Sequence, residues 1–173
     1  MARKKSISPE NPIILIIDKP KGYVCSKVSD SHPTVYELIP EKYKNLTPPL
    51  NPVGRLDADT TGLLLFTNDG KLNHQLTSPE SHVSKTYLVD IRDRVDEKTQ
   101  QIYTKRCKEG LVLPAEKKAP AQFVSNQIIE WISPSQCTIT ICEGKFHQVR
   151  RTFLSLGNEV KELRRLSFGE YKI

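Results

Sequence analysis

Apolar residues along this chain gather into short runs punctuated by turn residues. "PIILIID" (12–18) is a continuous apolar run closed by "KPKG", which predicts a buried strand entering a Lys/Gly/Pro turn. "LLLFT" (63–67), "KTYLVDI" (85–91), "QFVSNQIIEWIS" (122–133) and "QCTITICEG" (136–144) read as further strands. Helices are predicted in "TVYELIP", where Thr34 and Glu37 have capping-box spacing, in "KLNHQL" after the turn "NDG", and in "DEKTQQIYTKRCKEG", stopped by Gly110. In "EGKFHQVRRTFLSLG" the apolar positions Phe146, Val149, Phe153 and Leu156 recur at helical spacing before Gly157. Strands interleaved with a few helices, without a regular βαβ rhythm, predict an α+β fold built on a mainly antiparallel sheet.

"PEKYKNLTPPLNP" (40–52) has four prolines and is expected to be a loop, read as a hinge between two lobes. Residues 1–11 form a polar, basic tail, and residues 12–173 can build one domain with its own core. Net charge adds a direction: 26 Lys+Arg against 20 Asp+Glu gives +6, which suits a polyanionic partner such as nucleic acid. Cys25, Cys107, Cys137 and Cys142 show no CxxC spacing, so neither a metal cage nor a disulfide framework is suggested. With no secretory leader and no apolar run of ~18 residues, a cytoplasmic protein without a membrane span is expected.

Two stretches carry candidate chemistry. "GRLDADTTGLLLFTNDG" (54–70) sets carboxylates directly before an apolar strand. A calcium loop would want an acid where Asn68 stands and an entering helix where "PPLNPVGRL" forbids one. An ordinary polar turn accounts for Asp59 and Thr60. It does not explain Arg55 and Asp57 two apart, on one face of an extended segment, and a catalytic carboxylate at Asp57 remains the competing reading.

The second stretch is the amphipathic helix. At ~100° per residue, Arg150 lies roughly 80° from the centre of the apolar face and Arg151 roughly opposite it. Arg150 is therefore expected to border the core, where it can meet a carboxylate, and Arg151 to face solvent or a phosphate backbone. His147 suits helix capping, an RNA contact or a general base.

"KPKGYVCS", "GRLDADTTGLLLFTNDG", "KTYLV" and "EGKFHQVRR…LG", in this order, resemble the ribosomal RNA pseudouridine synthases of the small-subunit (RsuA-like) family. The resemblance runs over roughly residues 12–173. It implies the pseudouridine synthase fold, two lobes flanking a central cleft, and isomerisation of uridine in ribosomal RNA without cofactor or metal. By the same match Asp57 is the essential aspartate, Arg150 its counter-ion, and Tyr87 the aromatic against the target uracil. The other implied RNA contacts are Arg55, Lys19, Lys21, Lys85, His147 and Arg151. Without the family, Tyr87 reads first as a strand aromatic in the core.

The expected partner is ribosomal RNA or an assembly intermediate, met by a monomer. Other readings are a non-catalytic RNA-binding or assembly factor keeping the fold, a synthase acting on large-subunit RNA, and an RNA glycosidase releasing free uracil. Family members carry a basic RNA-binding module before the catalytic domain, where only the short tail precedes "PIILIID" here, so weak RNA affinity is expected.

Overall fold

The computed structural model describes residues 9–173 and divides into two compact units, one running to Val83 and including Ile173, the other Ser84–Lys172. The basic tail read over residues 1–11 falls largely outside the described residues.

In the first unit β1 (Ile14–Lys19) runs antiparallel to β3 (Thr61–Thr67), from Ile14 opposite Thr67 to Lys19 opposite Gly62, and the two-residue β2 (Asn51–Pro52) pairs with the far end of β3. Leu63, Leu64, Leu65 and Phe66 are fully buried, as a continuous apolar run requires, each contributing about 1.5–3 kcal/mol. Asp69 caps α1 (Gly70–Thr77) by accepting from the Lys71 and Leu72 amides at 3.0 and 3.4 Å. The proline-rich 40–52 segment lies wholly inside this unit, holding a 3-10 turn at Glu41–Tyr43 and ending in β2.

The second unit contains β4 (Lys85–Ile91), α2 (Glu97–Glu109), β5 (Leu111–Leu113), β6 (Gln122–Val124), β7 (Ile128–Ser133), β8 (Gln136–Ile141), α3 (Gln148–Ser155), β9 (Val160–Phe168) and β10 (Tyr171–Lys172). Its sheet has the order β9-β4-β8-β7, antiparallel throughout, with β10 folded back on β9 and β5–β6 forming a separate hairpin. Gly110 ends α2 at φ 137°, where a side chain would run into the Phe123 ring. Cys137, in β8, is buried and Cys142, just past its end, is exposed, and burial pushes the Cys107 and Cys137 thiols up to about 12.

The segment 34–40 forms only a short 3-10 turn, Val35–Leu38, and Thr34 makes no side-chain cap. "QFVSNQIIEWIS" is two strands rather than one, broken where Asn126 takes φ 58°. The longest strand, β9, has no clean alternation to announce it, because register shifts beside β4 space its buried Val160, Leu163, Arg165 and Phe168 unevenly.

Candidate active site

The segment "GRLDADT" has little regular structure of its own and is held from beneath by side chains of the preceding strand and turn. Lys19, the last residue of β1, is fully buried, and its ammonium donates to the carbonyls of Pro20, Ala58 and Thr60 at 3.0, 3.2 and 2.7 Å. The Gly22 amide donates to the same Ala58 carbonyl at 2.8 Å. Cys25 grips the other end: its thiol donates to the Leu56 carbonyl at 3.4 Å, and its sulfur accepts from the Leu56 amide at 3.3 Å. The Thr60 amide closes a turn on the Asp57 carbonyl at 3.0 Å. With Leu56 buried and both neighbours turned outward, Asp57 is half-buried and Arg55 exposed. The peptide groups on either side of Asp57 are therefore anchored, which limits the reorganisation its side chain needs in order to act.

These contacts correct one expectation. Lys19 is not a phosphate contact but a staple under the carboxylate loop, because at the register where it meets Gly62 its side chain runs inward to three carbonyls. Burial lowers its pKa, opposed by the charges of Cys25, Asp59 and Asp57 in that order. Lys21, on the turn itself, is exposed. Lys19→Met keeps the stem and removes the donors, so stability should fall by about 3 kcal/mol as buried carbonyls lose their partner. Thermal melting of the variant checks this. A phosphate contact would instead leave the melting point alone and flatten the salt dependence of RNA binding.

In the second unit Tyr87 is a buried residue of β4, facing Ile139 of β8 and Arg165 of β9 in register. Beside it the Lys85 ammonium and the Arg165 guanidinium both lie over the Phe168 ring, at 5.3 and 5.0 Å. Burial first, then repulsion from Arg165, lowers the Lys85 pKa, while Cys142 and Glu143 act against them. Arg165 is 1% exposed and was missed at the sequence level. The signal was the pair Arg164–Arg165, since adjacent residues of a strand point to opposite faces and one must face inward.

Helix α3 packs against β5 and β9, and this overturns the expected role of Arg151. Arg151 is fully buried. Its guanidinium donates to the carbonyls of Pro114, Phe146 and Pro120 at 2.9, 2.9 and 2.6 Å, and to the Gln122 side chain at 3.0 Å. It ties the segment joining β5 to β6 onto the helix and is not available to solvent or a phosphate backbone. Arg150 is partly exposed. Gln148, also buried, donates to Gln127 and Glu143 at 3.0 and 3.3 Å, and Thr152 donates to the same Gln127 oxygen at 3.2 Å. His147 sits at the helix start with φ 47° and does not cap it through its side chain. Its imidazole stacks on Phe146, centroids 3.8 Å apart, and meets Glu116 at 2.9 Å, joining the β5–β6 connection.

Among the described residues no group of three His, Cys, Asp or Glu side chains is placed to hold a metal ion. No described helix is long and apolar enough to cross a membrane.

Comparison with known proteins bears on what such a loop does. The chain is 41% identical over 159 residues to ribosomal small subunit pseudouridine synthase A of Pasteurella multocida, covering 92% of this chain and 64% of that protein. The enzyme of the same name from Escherichia coli K12 is 40% identical over 158 residues, with 91% and 64% covered, so the chain spans about two-thirds of the length of these curated relatives, just short of that fraction. A crystal structure of a pseudouridylate synthase superposes with a TM-score of 0.80 at 38% identity, covering 96% of this chain and 66% of that one. A Cbf5-Nop10-Gar1 complex shares the fold alone, at TM-score 0.58 and 19% identity, with 92% and 49% covered. The sequence model described as RNA pseudouridylate synthase matches residues 13–155, which include the anchored aspartate loop, β4 with Tyr87 and all of α3. The chain belongs to the RNA pseudouridylate synthase family.

Proposed function

We propose that this protein isomerises a uridine of ribosomal RNA, small-subunit RNA above all, to pseudouridine, acting as a cytoplasmic monomer. The observation that carries the reading is an aspartate of the family motif on a loop whose backbone is anchored on both sides by Lys19, Gly22 and Cys25. In the reaction the bond from N1 to C1′ of the ribose breaks, the uracil turns, and a bond from C5 to C1′ forms. The hydrogen leaves C5 and a proton is taken up at N1, so atoms balance without an oxidant or reductant. Asp57 serves as an ionised carboxylate, either as nucleophile or as base. Tyr87 and Arg150 are its catalytic partners, Tyr87 by stacking on the base, which leaves rotation in the stacking plane free. Arg55, Lys21 and Lys85 contact the RNA strand. His147, engaged with Glu116, acts by holding the β5–β6 connection at the start of α3.

Incubating the protein with small-subunit ribosomal RNA transcripts tritiated at uridine C5 tests the proposal. Tritium release with one new pseudouridine and no free uracil is expected. Release of free uracil would make the protein a glycosidase. RNA binding without tritium release, on the transcript and on assembly intermediates alike, would make it a binding factor that keeps the fold.

A further inference from the structure

The first unit holds a cavity of about 340 Å³ built by segments that the aspartate loop does not use. Tyr36, on the 3-10 turn Val35–Leu38, and Tyr43, on the turn Glu41–Tyr43, supply aromatic surface, and Leu50, 3% exposed, supplies an apolar floor. Tyr36 is held in place: its hydroxyl donates to Asn51 Oδ1 at 3.0 Å and its ring meets Phe66 edge-on with centroids 6.3 Å apart. Exposed Lys27 and Lys44 also line the cavity, while the Lys42 ammonium sits 4.9 Å from the Tyr43 ring centre.

The composition is specific in its chemistry. Aromatic faces stack on a planar base of any identity, ammonium groups donate to the attached phosphate, and the volume suits one nucleotide rather than a duplex. Glu37 lies on the same lining, where a carboxylate accepts from the amino or imino edge of a base and disfavours a phosphate; that charge falls to Lys27 and to Lys44, whose ammonium also lies 3.4 Å from the Glu41 carboxylate. Distance ties the cavity to the aspartate. Asn51 lies six residues before Asp57, so the chain separates them by at most ~20 Å, a span that a single strand of RNA covers in a few nucleotides.

We infer that this cavity binds one unstacked nucleotide of the same RNA strand, a few positions from the target uridine. The site would hold the strand by stacking and phosphate contact, and would set which stretch of RNA is presented. The inference rests on the proposed activity only for the identity of the strand.

The test uses the full chain and single-stranded fragments of small-subunit ribosomal RNA, with abasic nucleotides placed one at a time through each fragment and 4-thiouridine as a cross-linking probe. Tyr43→Ala should weaken binding about tenfold, the loss of one stacked base, while Tyr43→Phe keeps most of the affinity. One abasic position should weaken the wild type and leave Tyr43→Ala unchanged. Replacing Lys27 and Lys44 by alanine together should lower the salt slope of binding by about 1–2. Cross-links should map to residues 27–51.

Affinity within twofold of wild type in Tyr43→Ala, with no coupled abasic position, overturns the inference. Uridine monophosphate bound as tightly as the RNA fragments overturns it too, because the site would then serve a free nucleotide. A wild type that releases no tritium defeats the functional proposal instead, and binding and cross-linking still decide the cavity.

Discussion

Asp57→Asn is expected to reduce pseudouridine formation by at least about a thousandfold, with RNA affinity and melting temperature close to wild type. The substitution keeps the size of the side chain and removes its charge. The loop's own bonds use main-chain atoms that asparagine retains: the Thr60 amide on the Asp57 carbonyl, the Lys19 ammonium on Ala58 and Thr60, and Cys25 on Leu56. Asp59→Asn is the matched control. Both carboxylates favour the charged form of buried Lys19, and Asp59 does so more than Asp57. If activity were lost only because the staple under the loop is weakened, Asp59→Asn would be the more damaging variant. The expected result is the reverse, with Asp59→Asn keeping most of its activity, and single-turnover rates at saturating enzyme read the difference. Equal loss in the two variants would reduce Asp57 to a structural residue of the turn.

The second large effect concerns stability and reverses what the amphipathic pattern suggests. Arg151→Ala removes a buried guanidinium that makes four hydrogen bonds, three to main-chain carbonyls and one to Gln122. Those acceptors cannot all turn to water, so the cost should be about 3–5 kcal/mol. For a chain of this size that is on the order of a 10 °C fall in melting temperature. Arg151→Lys should recover little, because one ammonium cannot meet acceptors spread around a planar fork. Arg150→Ala, at the partly exposed neighbour, should melt near wild type and lose turnover. An Arg151→Ala protein of normal stability with a flatter salt dependence of RNA binding would restore the surface role for this residue and sink the clamp.

Much of the architecture is legible in the order of residues. Short apolar runs announced β1, β3, β4 and β8, the turn "NDG" opened α1 and Gly110 stopped α2, because these signals act through a residue's immediate neighbours. Strand β1 nonetheless carries Ile14 and Ile16 at 37% and 43% exposure and is not the buried strand expected. The candidate aspartate was legible too, since a carboxylate beside an arginine at a strand entrance has a chemical meaning at short range, and the family motif sharpened it.

The roles of the buried cations were not legible. Helical periodicity locates one apolar face of α3, against which Val149 and Phe153 are buried as expected, yet Gln148, Arg151 and Thr152 are buried as well. The β5–β6 hairpin and its connection cover Arg151, and Gln127 meets Gln148 and Thr152, so the neighbours come from residues 111–127 and no local pattern on the helix reports them. Lys19 and Arg165 follow the same rule. Lys19 reads as the charge of a basic turn, and both cations are taken inward where folding converges backbone carbonyls or an aromatic ring upon them.

By itself, then, the order of residues settled which segments become strands and helices and which carboxylate stands at a strand entrance, since those depend on neighbours within a turn or two. Tertiary structure alone decided which cations face outward and which brace the loop from below. A charge is stable in the interior only where several distant acceptors meet at one point, and that meeting does not exist until the chain has folded.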